Sequence, residues 1–342
     1  MHIPDGYLSP QTCAVMGAAM LPVWATAVKK VKKTIKTRYV PLMAIGAAFS
    51  FTIMMYNIPI PDGTTAHAVG AGILSIILGP WAAAISISVA LAIQALLFGD
   101  GGILAFGANC FNMAFVFPFT SYYIYRLIAG RSDITAARRW VGGLIAGYVG
   151  INLAALCAAV EFGLQPTLFH AASGAPLYCP YPLNIAVPAM AFGHLLIAGP
   201  VEAVATALVL RYIQAANPDL LTVGSTLARE EAHGYSKLWW GVGAMILLSP
   251  LGLLAQGTAW GEWGADEIKD MLGFIPAGLE HLSDSWHALM PDYSIPGLDG
   301  SLWQSATGYI LTAIAGVAII GAITYLFGKY QRRADQGKEM SN

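Results

Sequence analysis

The first two residues of the chain bring three nitrogen donors together on one short piece of backbone. These are the α-amino group of Met1, the backbone amide of His2 and Nδ1 of the His2 imidazole. The amine and amide would close a five-membered ring on a metal ion, and the amide and Nδ1 a six-membered ring. Three corners of a square plane are then nitrogen, which suits Ni(II) or Cu(II), with Co(II) accepted in other geometries and tetrahedral Zn(II) disfavoured. The terminus therefore indicates a chelate with one corner open.

His67 is the candidate for the fourth corner. It lies in DGTTAHAVGAGILSIILGP, among small residues that would allow another segment to approach the backbone closely. An alternative is that His67 is a hydrogen-bonded intramembrane histidine, and that His2 is a frayed surface residue. Both alternatives stay open on spacing alone.

The residues after His2 predict a bent arm that brings the terminus back to the protein. Pro4 fixes φ, and Pro4-Asp5-Gly6 is typical of a tight turn. The first basic cluster, KKVKKTIKTR, follows the first apolar run instead of preceding it, which is the reverse of a secretory signal. We therefore expect the N-terminus to be retained.

The composition indicates an integral membrane protein made of helices. Of 342 residues, 56% are hydrophobic and only 11% charged, whereas soluble domains carry about 25% charged residues. Apolar runs of roughly 20 residues recur along the chain, which is the length that a helix needs to cross a bilayer. No basic patch with interleaved aromatic residues indicates nucleic-acid binding. The four cysteines lack CxxC spacing and are assigned no chemistry.

The hydropathy pattern predicts nine membrane spans in two parts. They are 11–28, 40–58, 64–79, 81–98, 103–128, 140–162, 184–210, 238–256 and 305–328. An external N-terminus and a cytoplasmic C-terminus place 17 of the 18 Lys and Arg residues on the cytoplasmic side, as the positive-inside rule requires. We expect an all-α, multi-pass protein of the inner or plasma membrane: a seven-helix domain over 1–236 and a two-helix domain over 237–342, whose loop, about 257–304, is external.

Several polar residues near the outer membrane ends are candidates to support the metal ligands. A metal-bound imidazole commonly donates its other N–H to a carboxylate or carbonyl, which orients the ring. The alternative uses are helix caps, turns and interhelical hydrogen bonds. The candidates are Asp62, Asp100, Asn109 and Asn112.

Other ionisable residues of the spans and loops are interpreted structurally. His194 and Glu202 are eight residues apart, about 12 Å along a helix, so they are not expected to share one site. His194 is interpreted as a hydrogen-bonded bundle histidine and Glu202 as a buried hydrogen-bonding group or a contact to a partner subunit. The histidines of the external loops are interpreted as solvated; they are His170, His281 and His287.

Four stretches resemble a known family of membrane proteins. They are MHIPDGYL, TTAHAVGAGILSIILGPW, QALLFGDGGILAFGANCFNMAF and FGHLLIAGPVEA. They are similar to the substrate-binding component of energy-coupling-factor nickel and cobalt transporters, the NikM/CbiM type. The resemblance covers about residues 1–211 and implies a seven-helix subunit that holds the transported Ni(II) or Co(II) through Met1, His2 and His67. The tail resembles the small two-span accessory subunit (NikN/PDGLE-like), fused to the binding subunit.

The resemblance also implies partners, namely a transmembrane scaffold subunit and cytoplasmic ATPase subunits. The chain has no GxxxxGK[ST] motif, so we expect a transporter subunit that does not hydrolyse ATP alone and needs no catalytic cofactor. Two other functions are weighed. A vitamin-binding subunit of the same transporter class would leave the MHIPDG terminus unexplained, and an intramembrane metallo-hydrolase would need an HExxH-type motif that is missing. The fused arrangement of the tail favours nickel over cobalt, but only modestly.

Overall fold

The computed structural model describes residues 1–34, 40–61, 63–222, 235–255 and 257–339. Helices dominate this part of the chain. In chain order they are α1 (Pro10–Thr34), α2 (Val40–Met54), α3 (Ala71–Leu78), α4 (Pro80–Ile93), α5 (Phe106–Asn109), α6 (Phe117–Ala129), α7 (Ala137–Leu168), α8 (Leu183–Gly193), α9 (Gly199–Ala216), α10 (Ser236–Leu248), α11 (Ala265–Leu272), α12 (Ala277–Ser283) and α13 (Leu302–Glu339).

Shorter elements extend or connect these helices. Three π-helical segments continue α4, join α5 to α6 and join α8 to α9; they are Gln94–Phe98, Cys110–Val116 and His194–Ala198. Three 3₁₀ segments are Pro218–Thr222, Ser249–Leu254 and Pro291–Tyr293. Strands β1 (Ile58–Ile60) and β2 (Thr64–Ala66) form an antiparallel hairpin.

The predicted all-α membrane architecture is confirmed. Within the described residues, six helical segments are long and apolar enough to cross a bilayer: Pro10–Lys32, Pro80–Phe98, Ala137–Leu168, Leu183–Ala216, Ser236–Leu254 and Leu302–Leu326. The shorter α2, the eight-residue α3 and the joined α5–α6 segment complete seven helical segments before residue 222 and two after 235. The count of seven plus two therefore agrees with the sequence pattern.

The predicted span 64–79 is the clearest departure from expectation. Its first residues form strand β2, and His67 lies in extended chain before α3 begins at Ala71. Gly70 and Gly79 on either side of α3 have φ of 74° and 80°, values that side-chain-bearing residues rarely adopt. Both helix ends are thus set by glycine, and His67 is presented by a loop and not by a helix.

Small residues allow the central helices to pack closely, as is common in membrane bundles. A Cβ atom on Gly147 of α7 would lie 2.9 Å from Oγ1 of Thr206 on α9. Three residues further along α7, a Cβ on Gly150 would overlap Ser121 of α6. Helix α7 is therefore held between α6 and α9, and α9 carries Glu202 towards the loop of His67.

The C-terminal part packs along α2 and against the segment that continues α4. The Tyr309 hydroxyl donates to the Met55 carbonyl oxygen at 2.9 Å, and Gly316 of α13 lies against the Phe51 ring. Outside the helices, the Trp286 indole N–H donates to the Leu96 carbonyl at 3.0 Å. These contacts bring the loop between α10 and α13 over the N-terminal arm.

Candidate metal site

The N-terminal arm, residues 1–9, is anchored to the segment that follows α4. The Ile3 amide donates to Oδ1 of Asn109 at 2.8 Å, and Nδ2 of Asn109 donates back to the Ile3 carbonyl at 3.1 Å. The Gly102 amide also donates to that carbonyl, at 2.8 Å. Asn109 therefore fixes the residue that follows His2.

Asp5 fixes the turn of the arm from the other side. Its carboxylate accepts from the amides of Ile103, Leu104 and Ala105 at 3.0, 2.8 and 3.2 Å, just before α5 begins. Burial raises the pKa of Asp5, and the three N–H groups act against that rise. Gly6 has φ of 89°, so the turn needs glycine there. The Pro-Asp-Gly sequence thus supplies both the bend and its anchor.

The arm brings His2 next to His67. Their ring centroids are 5.1 Å apart, and the two residues are 1% and 7% exposed. Nδ1 of His67 lies 3.0 Å from the Ala68 carbonyl, which favours a proton on Nδ1 and leaves Nε2 as a lone-pair donor. Burial, together with the nearby His2 and terminal amine, holds the pKa of His67 well below its usual range. His67 is therefore neutral near pH 7, as a metal ligand must be.

The loop of His67 is held by Glu202 from inside the bundle. Oε2 of Glu202 accepts from the amides of Val69 and Gly70 at 2.8 and 2.9 Å. Glu202 itself is fully buried. This agrees with its interpretation as a buried hydrogen-bonding group and adds a function that spacing did not reveal, namely positioning the chain that carries His67.

Asp100 lies against the imidazole of His2. Oδ1 of Asp100 is 2.9 Å from Nδ1 of His2, and Oδ2 accepts from the Tyr293 hydroxyl at 2.5 Å and from Nε2 of Gln94 at 3.0 Å. Burial acts to raise the pKa of Asp100, but His2 and its neighbours outweigh it and hold that pKa below its usual range. Asp100 therefore remains a carboxylate that can orient His2.

The terminal amine meets a carboxylate from the other part of the chain. The Met1 nitrogen is 2.6 Å from Oε1 of Glu262, which precedes α11. One ligand atom each of His2, Asp100 and Glu262 lie within 4.8 Å of one another, a spacing compatible with a shared cation. No local sequence pattern pairs Glu262 with Met1, because 261 positions separate the two residues.

The structure thus brings together Met1, His2, His67, Asp100 and Asn109. Asn112 points to a different partner, since its Nδ2 donates to Oε2 of Glu161 at 2.9 Å. Asp62 lies outside the described residues.

The backbone nitrogen between these groups is free. Within the described part of the chain, the amide N–H of His2 has no hydrogen-bond acceptor, although the residue is buried. Buried amides are nearly always paired, so an orphan one marks a position where something else can bind. The amine, this amide and two imidazoles form a nitrogen-rich cluster suited to a late first-row transition metal.

Comparison with protein families covers both parts of the chain. Residues 2–220 match the family described as the "Cobalt uptake substrate-specific transmembrane region". Residues 236–333 match the PDGLE domain.

Full-length relatives show the same two-part layout. A protein of Rhodobacter capsulatus called "Fused nickel transport protein NikMN" is 49% identical over 337 residues, covering 94% of this chain and 95% of that protein. The "Probable fused nickel transport protein LarMN" of Lactiplantibacillus plantarum is 49% identical, covering 93% of this chain and 95% of its own length. A crystal structure titled as a truncated transition metal transporter is 63% identical, with TM-score 0.60, covering 63% of this chain and 99% of that one.

Proposed function

The chain belongs to the family of the cobalt-uptake substrate-specific transmembrane region, a membrane component of nickel and cobalt transport, and from this premise we propose that it is the substrate-capture subunit of an ATP-driven importer. The transported substrate is Ni(II), with Co(II) second. Nickel comes first because both full-length relatives named above are described as nickel transport proteins.

The proposed ligands are four nitrogens of three residues. The Met1 amine, the His2 amide and Nδ1 of His2 form the two fused chelate rings, and Nε2 of His67 completes the square plane. The observation that carries this assignment is that the N-terminus is buried next to His67. Between them lies the His2 amide, which has no hydrogen-bond acceptor among the described residues. Such a site takes the metal with loss of the ammonium and amide protons.

The carboxylates around this site have distinct functions in the proposal. Without metal, Asp100 holds His2 through Nδ1, the ring nitrogen that the chelate uses, so this contact separates when the metal binds. Glu202 orients the loop of His67. Glu262 forms an ion pair with the Met1 ammonium while the site is without metal. An ammonium nitrogen has no lone pair to give to a metal. Metal binding therefore requires the Met1–Glu262 ion pair to separate.

The proposed topology has the N-terminus outside and the C-terminus in the cytoplasm, with the site on the outer side. The metal-binding domain spans residues 1–236 and the accessory domain 237–342. A transmembrane scaffold subunit and cytoplasmic ATPase subunits would complete the importer, as the sequence resemblance implies. The exposed apolar residues of the π-helical segment His194–Ala198 and of α9 offer a surface for lipid or for the scaffold; they include Leu195, Leu196, Val204 and Leu208.

A one-residue extension before Met1 tests the proposal. It turns the amine into an amide and moves the new amine out of the square plane, so Ni(II) affinity should fall by roughly 100-fold or more. Calorimetry on the purified full chain measures this, and a yellow, diamagnetic complex in the unextended protein would identify square-planar nickel. A residue added after Asn342 is the matched control. Unchanged tight binding in the N-terminally extended protein would refute the chelate.

A further inference from the structure

A cavity of about 510 Å³ lies beside the proposed chelate. It is bounded by the β1–β2 hairpin, by α8 with its π-helical continuation, and by the loop that precedes α11. Its lining includes Met1, His67, Met190, His194, Trp260 and Trp263. Met1 and His67, which are two of the three proposed ligand residues, therefore line the same cavity as His194.

His194 resembles His67 in its burial and in the backbone carbonyl that lies near its Nδ1. It is 7% exposed, and its Nδ1 lies 2.9 Å from the Met190 carbonyl. That contact favours a proton on Nδ1 and leaves Nε2 with the lone pair. In the described part of the chain Nε2 has no hydrogen-bond partner, so a histidine interpreted as satisfied within the bundle uses only one of its two nitrogens there.

The position of His194 in its helix supports a functional use. π-Helical turns are rare and are frequent at functional sites. Gln94 begins the first π segment and donates to Asp100, and Asn109, which directly precedes the second, binds Ile3. His194 begins the third segment. Residues at or directly before the start of the first two segments thus contact Asp100 and the N-terminal arm, and the third segment presents His194 to the adjoining cavity.

We propose that His194 forms a second, weaker site for a divalent transition-metal ion in this cavity, occupied before the ion reaches the chelate. Nε2 of His194 replaces one water of the hydrated ion, and the other positions keep water. The cavity has room for this, because a water molecule takes about 30 Å³. No carboxylate lines the described cavity wall, so the ion is held loosely enough to move on. The inference rests on the proposed function and deepens it.

The test is a titration of the purified full chain with NiCl₂, followed by calorimetry and stopped-flow absorbance. The unmodified protein should show one tight and one weaker site. His194→Ala and His194→Asn should each lose the weaker site and keep the tight one, while loading of the tight site slows by about tenfold. Asn retains an N–H for the Met190 carbonyl, so it separates ligand loss from damage to the helix. His170→Ala, which changes an exposed loop histidine, should behave like the unmodified protein.

The N-terminally extended protein separates the two proposals. It should lose the tight site, keep the weaker one, and lose that as well when His194→Asn is added. A weaker site and a loading rate that both persist in His194→Ala and His194→Asn would overturn the second site. Tight binding that survives the extension would refute the chelate, and the effect of His194 on the weaker site would still be measured.

Discussion

The α-nitrogen of Met1 lies 2.6 Å from Oε1 of Glu262, although 261 positions of the chain separate the two residues. Around this ion pair, the Tyr7 hydroxyl donates to the Trp263 carbonyl at 2.8 Å. A Cβ on Gly6 would lie 2.8 Å from the Leu279 carbonyl oxygen, which shows how closely the two segments meet. The loop between α10 and α13 therefore covers the N-terminal arm. In the proposed chelate, the metal has to displace a carboxylate of that loop from the amine.

Nickel affinity should rise with pH between about pH 6 and 8, roughly tenfold per unit for each proton that binding releases. Because the pKa of His67 is held well below its usual range, His67 is already deprotonated throughout this window and adds nothing to the slope. The ammonium and the His2 amide are the proton sources in the proposed chelate. Calorimetry in buffers of different ionisation enthalpy counts the protons, and an affinity that stays flat across the window would contradict the amine and amide as ligands.

Glu202→Gln should weaken Ni(II) binding by about 10- to 100-fold, the usual effect of losing a group that orients a ligand. The carboxylate accepts from three backbone amides, of Val69, Gly70 and Gly72, and a Gln amide offers one oxygen and an NH₂ that cannot accept. The loop of His67 then loses part of its support. Thr206→Val is the matched control, because Thr206 touches Glu202 only at 3.4 Å. Equal losses of affinity in both variants would argue against a specific function of Glu202.

Gly102→Ala should detach the N-terminal arm. A Cβ at this position would overlap the Asp5 carboxylate, and the Gly102 amide is also a donor to Ile3. We expect a loss of about 1 to 3 kcal/mol in the free energy of unfolding, as for an overpacked site, together with weaker Ni(II) binding. Gly17→Ala is the control, since a Cβ there meets no atom within 4 Å. Thermal unfolding and Ni(II) titration measure both effects, and a tight-binding, fully stable Gly102→Ala protein would refute this account of the arm.

Tyr293→Phe should loosen the loop between α10 and α13 above the site. Its hydroxyl donates to Asp100 at 2.5 Å and accepts from Gln94 at 2.8 Å, and a hydrogen bond to a charged group contributes about 1.5 to 3 kcal/mol. Hydrogen exchange should rise in 257–301, and Asp100 should orient His2 less well. Tyr325→Phe changes an exposed tyrosine and is the control. No change in exchange would mean that the loop is held by its other contacts alone.

The sequence alone predicted the features that depend on local pattern. Apolar run lengths predicted the seven-plus-two layout, and the order Met1, His2, Pro4, Asp5, Gly6 predicted a bent, donor-rich arm. The hairpin before α3 escaped prediction because Thr64–Ala66 belongs to a continuous small and apolar stretch, where strand and helix have the same signature.

Long-range partners could not be predicted, for a physical reason. Glu262 and Tyr293 carry no local signal for a site near residue 2, since only the packing of the two parts brings them there. The partner of Asn112 could not be predicted for the same reason, because Glu161 lies on another helix. Asn109 and Asn112 are three residues apart, and a helical turn separates the one that reaches the arm from the one that faces α7.

The contacts between α13 and α2 have a consequence for how the protein can be made. They run from Tyr309 on Met55 to Gly316 on Phe51, and these four residues lie outside the connection 223–234. A break in the peptide chain within 223–234 would leave these surfaces complete. Two separately translated polypeptides would then be able to find each other in the bilayer and rebuild the same assembly, so fusion fixes their stoichiometry at one to one.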